Sequence, residues 1–563
     1  MTIYDLNESH SIVDFSDMDD EEALAIKLDM MESLSVFVEG YKFMPAYRAG
    51  VFDGKKHFFE MTPKMNIKIP KGLVEVVIKK FGKHLTTDYT PIKESPSVDL
   101  ETLRGIIDGL NLPFPPYDYQ EKAVYIALNQ PRKVLVAATG SGKSLILYML
   151  MHAWKSLGLK GLLIVPNIGL AEQMRGDFID YSKNYDNPDE VVDEYLHLVY
   201  GGKEKHFDKP MTISTWQSAI RMNKESFLDL EYVAIDEAHL ATGDSLQHLL
   251  SISENCQYKI GLTGTLPKNH EHRFTLAATL GKSEQIINPQ GLIERGLATP
   301  VQITMWYLNY NEDEKKQVRR MNYQKEMKFT EEHFKRNNFI AKLAIGATKK
   351  YGNSLVLYNT ISHGEFLLKL VLQNKFGIDS AYVLEKCTPM RIQRAFDAEP
   401  EKIFTVNPLT PKDRKALLKV FSEEDLIKKF DTLVKYNIFL IKGSVDGEIR
   451  NDIRAYVEKA DDAIVIATYG TSSTGLNIKR LHNIFMTAST KSSVRLRQST
   501  GRGMRLHGDK DMMRLFDFVD DFSKKLKNGK VQNKNYILKH SYERLESYFS
   551  DGFPIVEKEI SIS

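Results

Sequence analysis

The stretch Lys133–Trp154, KVLVAATGSGKSLILYMLMHAW, restricts the fold more than any other part of the chain. A short β-branched run, a glycine loop and an apolar segment of helical length follow one another directly. Gly140 and Gly142 let backbone N–H groups wrap an anion, and the start of the next helix adds its dipole. Thr139, Gly140, Ser141 and Gly142 form the cradle, Lys143 reaches the β- and γ-phosphates, and Ser144 ligates Mg²⁺. The pattern G-x-x-x-x-G-K-[ST] is met except at its first position, where Ala137 stands in place of glycine. The helix is apolar nearly all round, as a helix lying on a sheet requires.

The chain around this loop repeats the same alternation. KVLVAAT, GLLIVP, MTIST, YVAID and KIGLT are short apolar runs separated by helical segments. The alternation pauses near Gly296–Tyr310 and resumes with SLVLYN, NIFLI, AIVIAT, NIFMT and RLFDF. It predicts an α/β protein with two tandem parallel-sheet domains. At 563 residues the chain is too long for a single core. We expect a small α+β module in residues 1–95, a first motor domain in 96–300, a second in 301–520, and a basic, helical C-terminal extension in 521–563.

Downstream of the glycine loop, LEYVAIDEAHLATG ends an apolar strand in two adjacent acids. Successive side chains diverge at a strand end, so the two take different roles. Asp236 is expected to hold Mg²⁺ through water, and Glu237 to orient and deprotonate the attacking water. Loop and acid pair together make one nucleoside-triphosphate hydrolysis site, with Mg²⁺ as its expected metal.

The N-terminal region has a different character. DFSDMDDEE (Asp14–Glu22) reads as a solvated acidic tail or the start of a helix. From Tyr41 to Lys83 the balance reverses, to ten Lys/Arg against three Asp/Glu, with aromatics interleaved. GVFDGKKHFF reads as a hairpin turning at Asp53-Gly54, KGLVEVVIKKFGKH as an amphipathic helix, and TPIKESPSVD as a linker. Arg48, Lys55 and Lys56 are candidates for phosphate contact, and Tyr41, Phe43, Tyr47 and Phe52 for stacking on bases. Lys524–Lys539, with six lysines and no acid, is a second basic candidate. Because the glycine loop and its sheet begin after Lys133, residues from about 37 to 95 should be removable with the motor left folded. Two cysteines, Cys256 and Cys387, make no disulfide framework, and a reducing cytoplasm is expected. No signal peptide and no apolar run of spanning length is seen. Nothing reads as a dimerising heptad, so a monomer is expected.

Set beside one another, further segments carry a resemblance. YDYQEKAV, LLIVPNIGLAEQM, ISTWQS, GLTGTL, SLVLYNTISHG, IVIATYGTSSTGLNIKRLHNIF and QSTGRGMR resemble the motifs of superfamily 2 helicases of the DEAH type. The N-terminal module and NYILKHSYERLESY resemble the tailed-phage helicases of the UvsW type, from about Phe37 to the end of the chain. The resemblance implies that both parallel-sheet domains are RecA-like, that the nucleotide is ATP, that Tyr117 and Gln120 read the adenine and that Gly475 lies at the nucleotide. Gln498, Arg502 and Arg505 belong to the last motif, the two arginines acting as fingers on the γ-phosphate. It further implies that Pro166, Thr215, Trp216, Gln217, Thr265, Thr360 and Thr474 lie on the nucleic-acid face. The expected activity is ATP-driven remodelling of branched or forked DNA and RNA–DNA hybrids: fork regression, branch migration and R-loop removal. Single-stranded DNA is a further expected ligand and a single-strand-binding or recombination protein an expected partner, with no membrane role. A restriction-type double-stranded DNA translocase and an RNA helicase remain alternatives, and intact Lys143, Asp236, Glu237 and Arg502 argue against a silent scaffold. Two segments depart from the pattern. Ser380–Tyr436 reads as a small helical insertion in the second motor domain, and the acidic first residues have no evident counterpart.

Overall fold

A computed structural model describes residues 1–93, 97–201, 207–377, 383–384, 404–405, 422, 437–443, 445, 447–470, 478–489, 493–525, 531–532 and 534–562. They form two compact units, Met1–Asn288 and Pro289–Ser563. The expected helical insertion falls outside the described residues, save Ser422 and the short parallel pair Val383–Leu384 and Phe404–Thr405.

The first unit holds a seven-stranded sheet. Its order is Ser283–Ile287, Arg132–Ala137, Tyr258–Thr263, Tyr232–Asp236, Gly161–Val165, Met211–Thr215, Leu196–Val199. Every neighbouring pair is parallel. Buried β-branched runs closed off by Gly, Pro and polar turns form such strands because both faces are covered. All five runs read from the sequence are present. Helix Lys143–Ser156 is buried from Leu145 to Met151 and again at Ala153 and Trp154, with Trp154 stacked on Tyr232 at 4.3 Å. Adjacent strands end together at Ala137, Thr263 and Asp236, so their carboxyl ends share one edge, where ligands of such sheets bind.

The second unit repeats the design. Its parallel sheet runs Ile438–Ile441, Ile464–Thr468, Ser354–Tyr358, Asn483–Met486, Met513–Asp521, Val301–Asn309, Ile555–Ser561. Residues 521–563 are therefore not an appendage. The last strand completes this sheet's edge, and helix Tyr536–Ser550 is fastened inside by Arg544, whose guanidinium makes two 2.7 Å bonds to buried Asp517.

The N-terminal module is also corrected in part. Its antiparallel sheet has the order Thr2–Asp5, His10–Asp14, Ile67–Pro70, Glu60–Met61. The acidic run that follows starts helix Asp20–Ser33, capped by the Asp19 carboxylate and complemented by Asp20, Glu21 and Glu22 in its first turn. The expected hairpin is absent. Val51 and Phe52 donate back to the Ala46 carbonyl, closing the short helix Pro45–Arg48, and Lys55–His57 pairs with Ser35–Phe37 instead. The amphipathic helix is present as Val74–Phe81. The module shares its core with helix His270–Leu280 beside the first large sheet: Phe58, Leu73, Val74 and Val77 cluster with Ala278, and Phe274 packs against them. Among the described residues no helix is long and apolar enough to cross a membrane.

Candidate nucleotide and nucleic-acid sites

The glycine loop is built from outside as well as from its own turn. Gly142 has φ 78°, and a Cβ there would lie 2.4 Å from Gln120 Nε2, so both conformation and space call for glycine. The Gln120 amide donates to the Ser141 carbonyl at 2.9 Å and accepts the Tyr117 N–H at 2.9 Å. Tyr119, which the sequence reading passed over, donates its hydroxyl to the same carbonyl at 2.9 Å. Gln120 keeps one N–H and one lone pair for a base. Tyr117 is 48% exposed and its ring stacks on Tyr119 at 5.7 Å, leaving a face for an adenine. Thr139 Oγ1 and Lys143 Nζ both lie beside Gly264, so the loop and the GLTGTL segment meet. Lys143 donates to the Ala137 carbonyl at 3.4 Å. Ser144 shares a 2.7 Å hydrogen bond with the Tyr181 hydroxyl.

Asp236 is the last residue of its strand, and Glu237 turns into the left-handed region at φ 54°, ψ 50°. At that turn the Glu237 N–H closes on Asp236 Oδ1 at 2.9 Å. Burial and the neighbouring Glu237 charge push the Asp236 carboxyl above its usual range, and Lys143 opposes them. His239 Nδ1 lies 3.2 Å from Glu237 Oε2 and 3.1 Å from Thr263 Oγ1. The second acid is thereby tied to the strand next door, a connection that linear spacing does not reveal. Among the described residues no group of three or more His, Cys, Asp or Glu gathers as a metal cage. The donors at hand are one carboxylate and one hydroxyl. That set suits Mg²⁺, which keeps water and phosphate oxygens as its other ligands.

In the second unit Gln498, Arg502 and Arg505 lie on or just past helix Ser493–Gly503. The Gln498 and Arg502 side chains, and all of Thr474 and Gly475, fall outside what the structure describes. The Thr299 hydroxyl donates to the Arg505 carbonyl at 3.1 Å, and Lys510 donates to the Gly503 carbonyl at 2.9 Å, so the helix end is pinned.

The proposed nucleic-acid residues divide sharply. Pro166 and Gln217 stand at strand ends of the first sheet, Gln217 exposed. Thr215 and Thr265 are buried, and Trp216 packs on the core. Thr360 is exposed but donates to Glu331 Oε2 at 2.6 Å. In the module, Lys55 is paired to Glu32 at 2.6 Å and Lys56 lies 3.7 Å from Glu271, which dilutes both as phosphate contacts. Arg48 is exposed, its Nε on the Lys42 carbonyl at 3.3 Å. From Phe37 to Asp53 no residue is buried. Phe43 and Val51 are 77% and 81% exposed, beside Tyr41 stacked on Phe37 at 4.6 Å. The result is an aromatic, basic projection.

Residues 113–268 match the family described as type III restriction enzyme, res subunit, and residues 9–90 the family described as DNA helicase UvsW, N-terminal. The second match takes in most of the acidic segment, which therefore does have a counterpart. The ATP-dependent DNA helicase uvsW of Enterobacteria phage T4 is 27% identical over 551 residues, 95% of each chain. The DNA 3'-5' translocase XPB2 of Sulfurisphaera tokodaii is 26% identical over 177 residues, 30% of this chain and 36% of that one. A fragment structure assigned to an HsdR subunit of a type I restriction enzyme from Vibrio vulnificus covers 81% of this chain and 71% of its own. Its TM-score is 0.50 at 15% identity, a likeness of fold alone.

Proposed function

We propose that this chain, a UvsW-like ATP-dependent DNA helicase of superfamily 2, remodels branched DNA and RNA–DNA hybrids: fork regression, branch migration and R-loop removal. The observation that carries the reading is colinearity with the phage enzyme over 95% of both chains, N-terminal module included. Restriction-type translocases share the motor but are matched here only by fold or by the motor segment. The module's projection, Phe43 and Val51 flanked by Lys42 and Arg48, offers stacking surface and positive charge of the kind that suits unpaired bases beside a duplex.

At the hydrolysis site Ser144 and Asp236 would hold Mg²⁺, which supplies neutralising charge to the β- and γ-phosphates. Lys143 leaves the Ala137 carbonyl for those phosphates. Glu237 takes the proton of the attacking water, and Tyr117 and Gln120 face the adenine. Arg502 and Arg505 stabilise charge on the transferring phosphoryl group. The Arg502→Ala variant should therefore bind ATP nearly normally and hydrolyse it slower by on the order of 10³ or more; a mild loss would remove Arg502 from the mechanism. The substrate class is tested by ATPase rates with forked DNA, linear duplex, single-stranded DNA and RNA as activators. The fork should stimulate most. Equal stimulation by linear duplex would favour a plain translocase, and preference for RNA an RNA helicase.

A further inference from the structure

The Ser144 hydroxyl has a fixed partner. It lies 2.7 Å from the hydroxyl of Tyr181, the last residue of helix Ile168–Tyr181. The Tyr181 ring is held edge-on against Phe114 at 6.1 Å and Tyr148 at 5.3 Å, and the Tyr148 hydroxyl is bonded in turn to Ser182 at 3.1 Å. At its far end the helix is capped by Asn167, whose side chain accepts the Leu170 N–H at 3.0 Å. A phenylalanine would fill this ring cluster equally well. The hydroxyl is what needs explaining, and its partner belongs to the nucleotide loop.

We propose that Tyr181 is a positioning residue that sets the Ser144 hydroxyl for the metal of the hydrolysis site. The inference rests on the reading of Ser144 as a Mg²⁺ ligand. A serine hydroxyl carries one proton and two lone pairs. To face a cation it must turn the proton away, and the Tyr181 oxygen is where that proton points. The Ser144 lone pairs are then directed at the cation. Without that acceptor the serine samples its other staggered positions, and each Mg²⁺ binding event must select one of them.

The test uses the full chain with Tyr181→Phe, which keeps the ring packing. A fluorescent ATP analogue is titrated in EDTA and then across a range of Mg²⁺. The affinity in EDTA should stay within about twofold of the parent. The Mg²⁺ concentration giving half of the metal-dependent gain should rise by about 10-fold, the low end for a group acting through a ligand. Ser144→Ala should shift it further, and the double variant no further than Ser144→Ala alone. A parental Mg²⁺ curve for Tyr181→Phe beside a shifted Ser144→Ala overturns the role of Tyr181 and leaves Ser144 as a ligand. An unshifted Ser144→Ala overturns both. Affinity already lost in EDTA marks Tyr181 as a packing residue and overturns the proposal.

Discussion

Glu237 shows at a single residue why chemistry and conformation coincide in this fold. A non-glycine residue in the left-handed region costs about 1–3 kcal/mol and persists only where its surroundings hold it. Here the Glu237 N–H on Asp236 and the His239 ring beside its carboxylate do so. Glu237→Gln keeps the shape and removes the charge that takes a proton from water. We expect nucleotide affinity to survive while turnover falls by about 10²–10⁴, measured as single-turnover hydrolysis beside equilibrium binding; near-normal turnover would show that another group is the base. Lys143→Ala should do the opposite and lose nucleotide affinity itself, because no other cation is placed on the loop. These residues were legible because spacing alone defines them: a lysine and serine after the glycines, two acids at a strand end. Tyr119, His239 and Tyr181 were not. Tyr119 and Tyr181 sit on helix faces that read as core, and the partner of His239 is fixed by strand order, which a linear sequence does not display.

Five strands of each seven-stranded sheet were legible because each is a buried apolar run between turns, whereas Leu196–Val199, Ser283–Ile287, Val301–Asn309 and Ile555–Ser561, at or next to the sheet edges and mostly of alternating or exposed pattern, were not. The antiparallel module was less so. Its strands are two to five residues long, and GVFDGKKHFF carries an aspartate–glycine turn that the chain uses to reach back to Ser35–Phe37 rather than to pair with itself. The seam between module and motor was not legible at all. Gly72 lies so near helix His270–Leu280 that a Cβ would sit 2.3 Å from the Ala277 carbonyl oxygen and 2.6 Å from that of Ala278. Backbone atoms cannot step aside, so Gly72→Ala should destabilise the first unit by about 1–3 kcal/mol, read as a lowered thermal midpoint; an unchanged midpoint would mean the seam yields freely. At the same seam the buried Lys259 amine donates to Ser9 Oγ at 2.5 Å and the Leu250 carbonyl at 2.7 Å. Deleting residues from about 37 to 95 would also bare Phe274 and Ala278. The motor is thus not expected to survive that deletion intact, contrary to what the sequence alone suggests. Point substitution of Arg48 and Phe43 is the cleaner probe of the module's grip on a fork.

At the scale of the whole molecule, two helices, one in each unit, each carry a buried histidine that makes the fold acid-sensitive. His152 is packed between Tyr148 and Tyr195, and burial, assisted by Lys155, lowers it to about 3. His363 is buried against Asn337, and burial, assisted by Arg336, lowers it to about 3 as well. In the unfolded chain both titrate near 6.5. Between about 6.5 and 3 the unfolded state therefore binds more protons than the folded one, and stability falls as pH falls; above about 6.5 the contribution is complete. Glu326 and Glu331, raised by burial, bind protons in the folded state and act in the opposite sense at the acid end. Variants separate the two. His363→Gln offers a neutral amide to Asn337, and whatever it does to absolute stability, it removes one titrating group. The slope of unfolding free energy against pH near 5 should flatten by about 1.4 kcal/mol per pH unit. The chain's three tryptophans make the assignment possible, since Trp154 and Trp216 report the first unit and Trp306 the second. His363→Gln should flatten the transition followed through Trp306 in a Trp154→Phe, Trp216→Phe background. His152→Gln should flatten the one followed in Trp306→Phe. A slope that does not change in either background would mean that the histidine in that unit takes up its proton without unfolding.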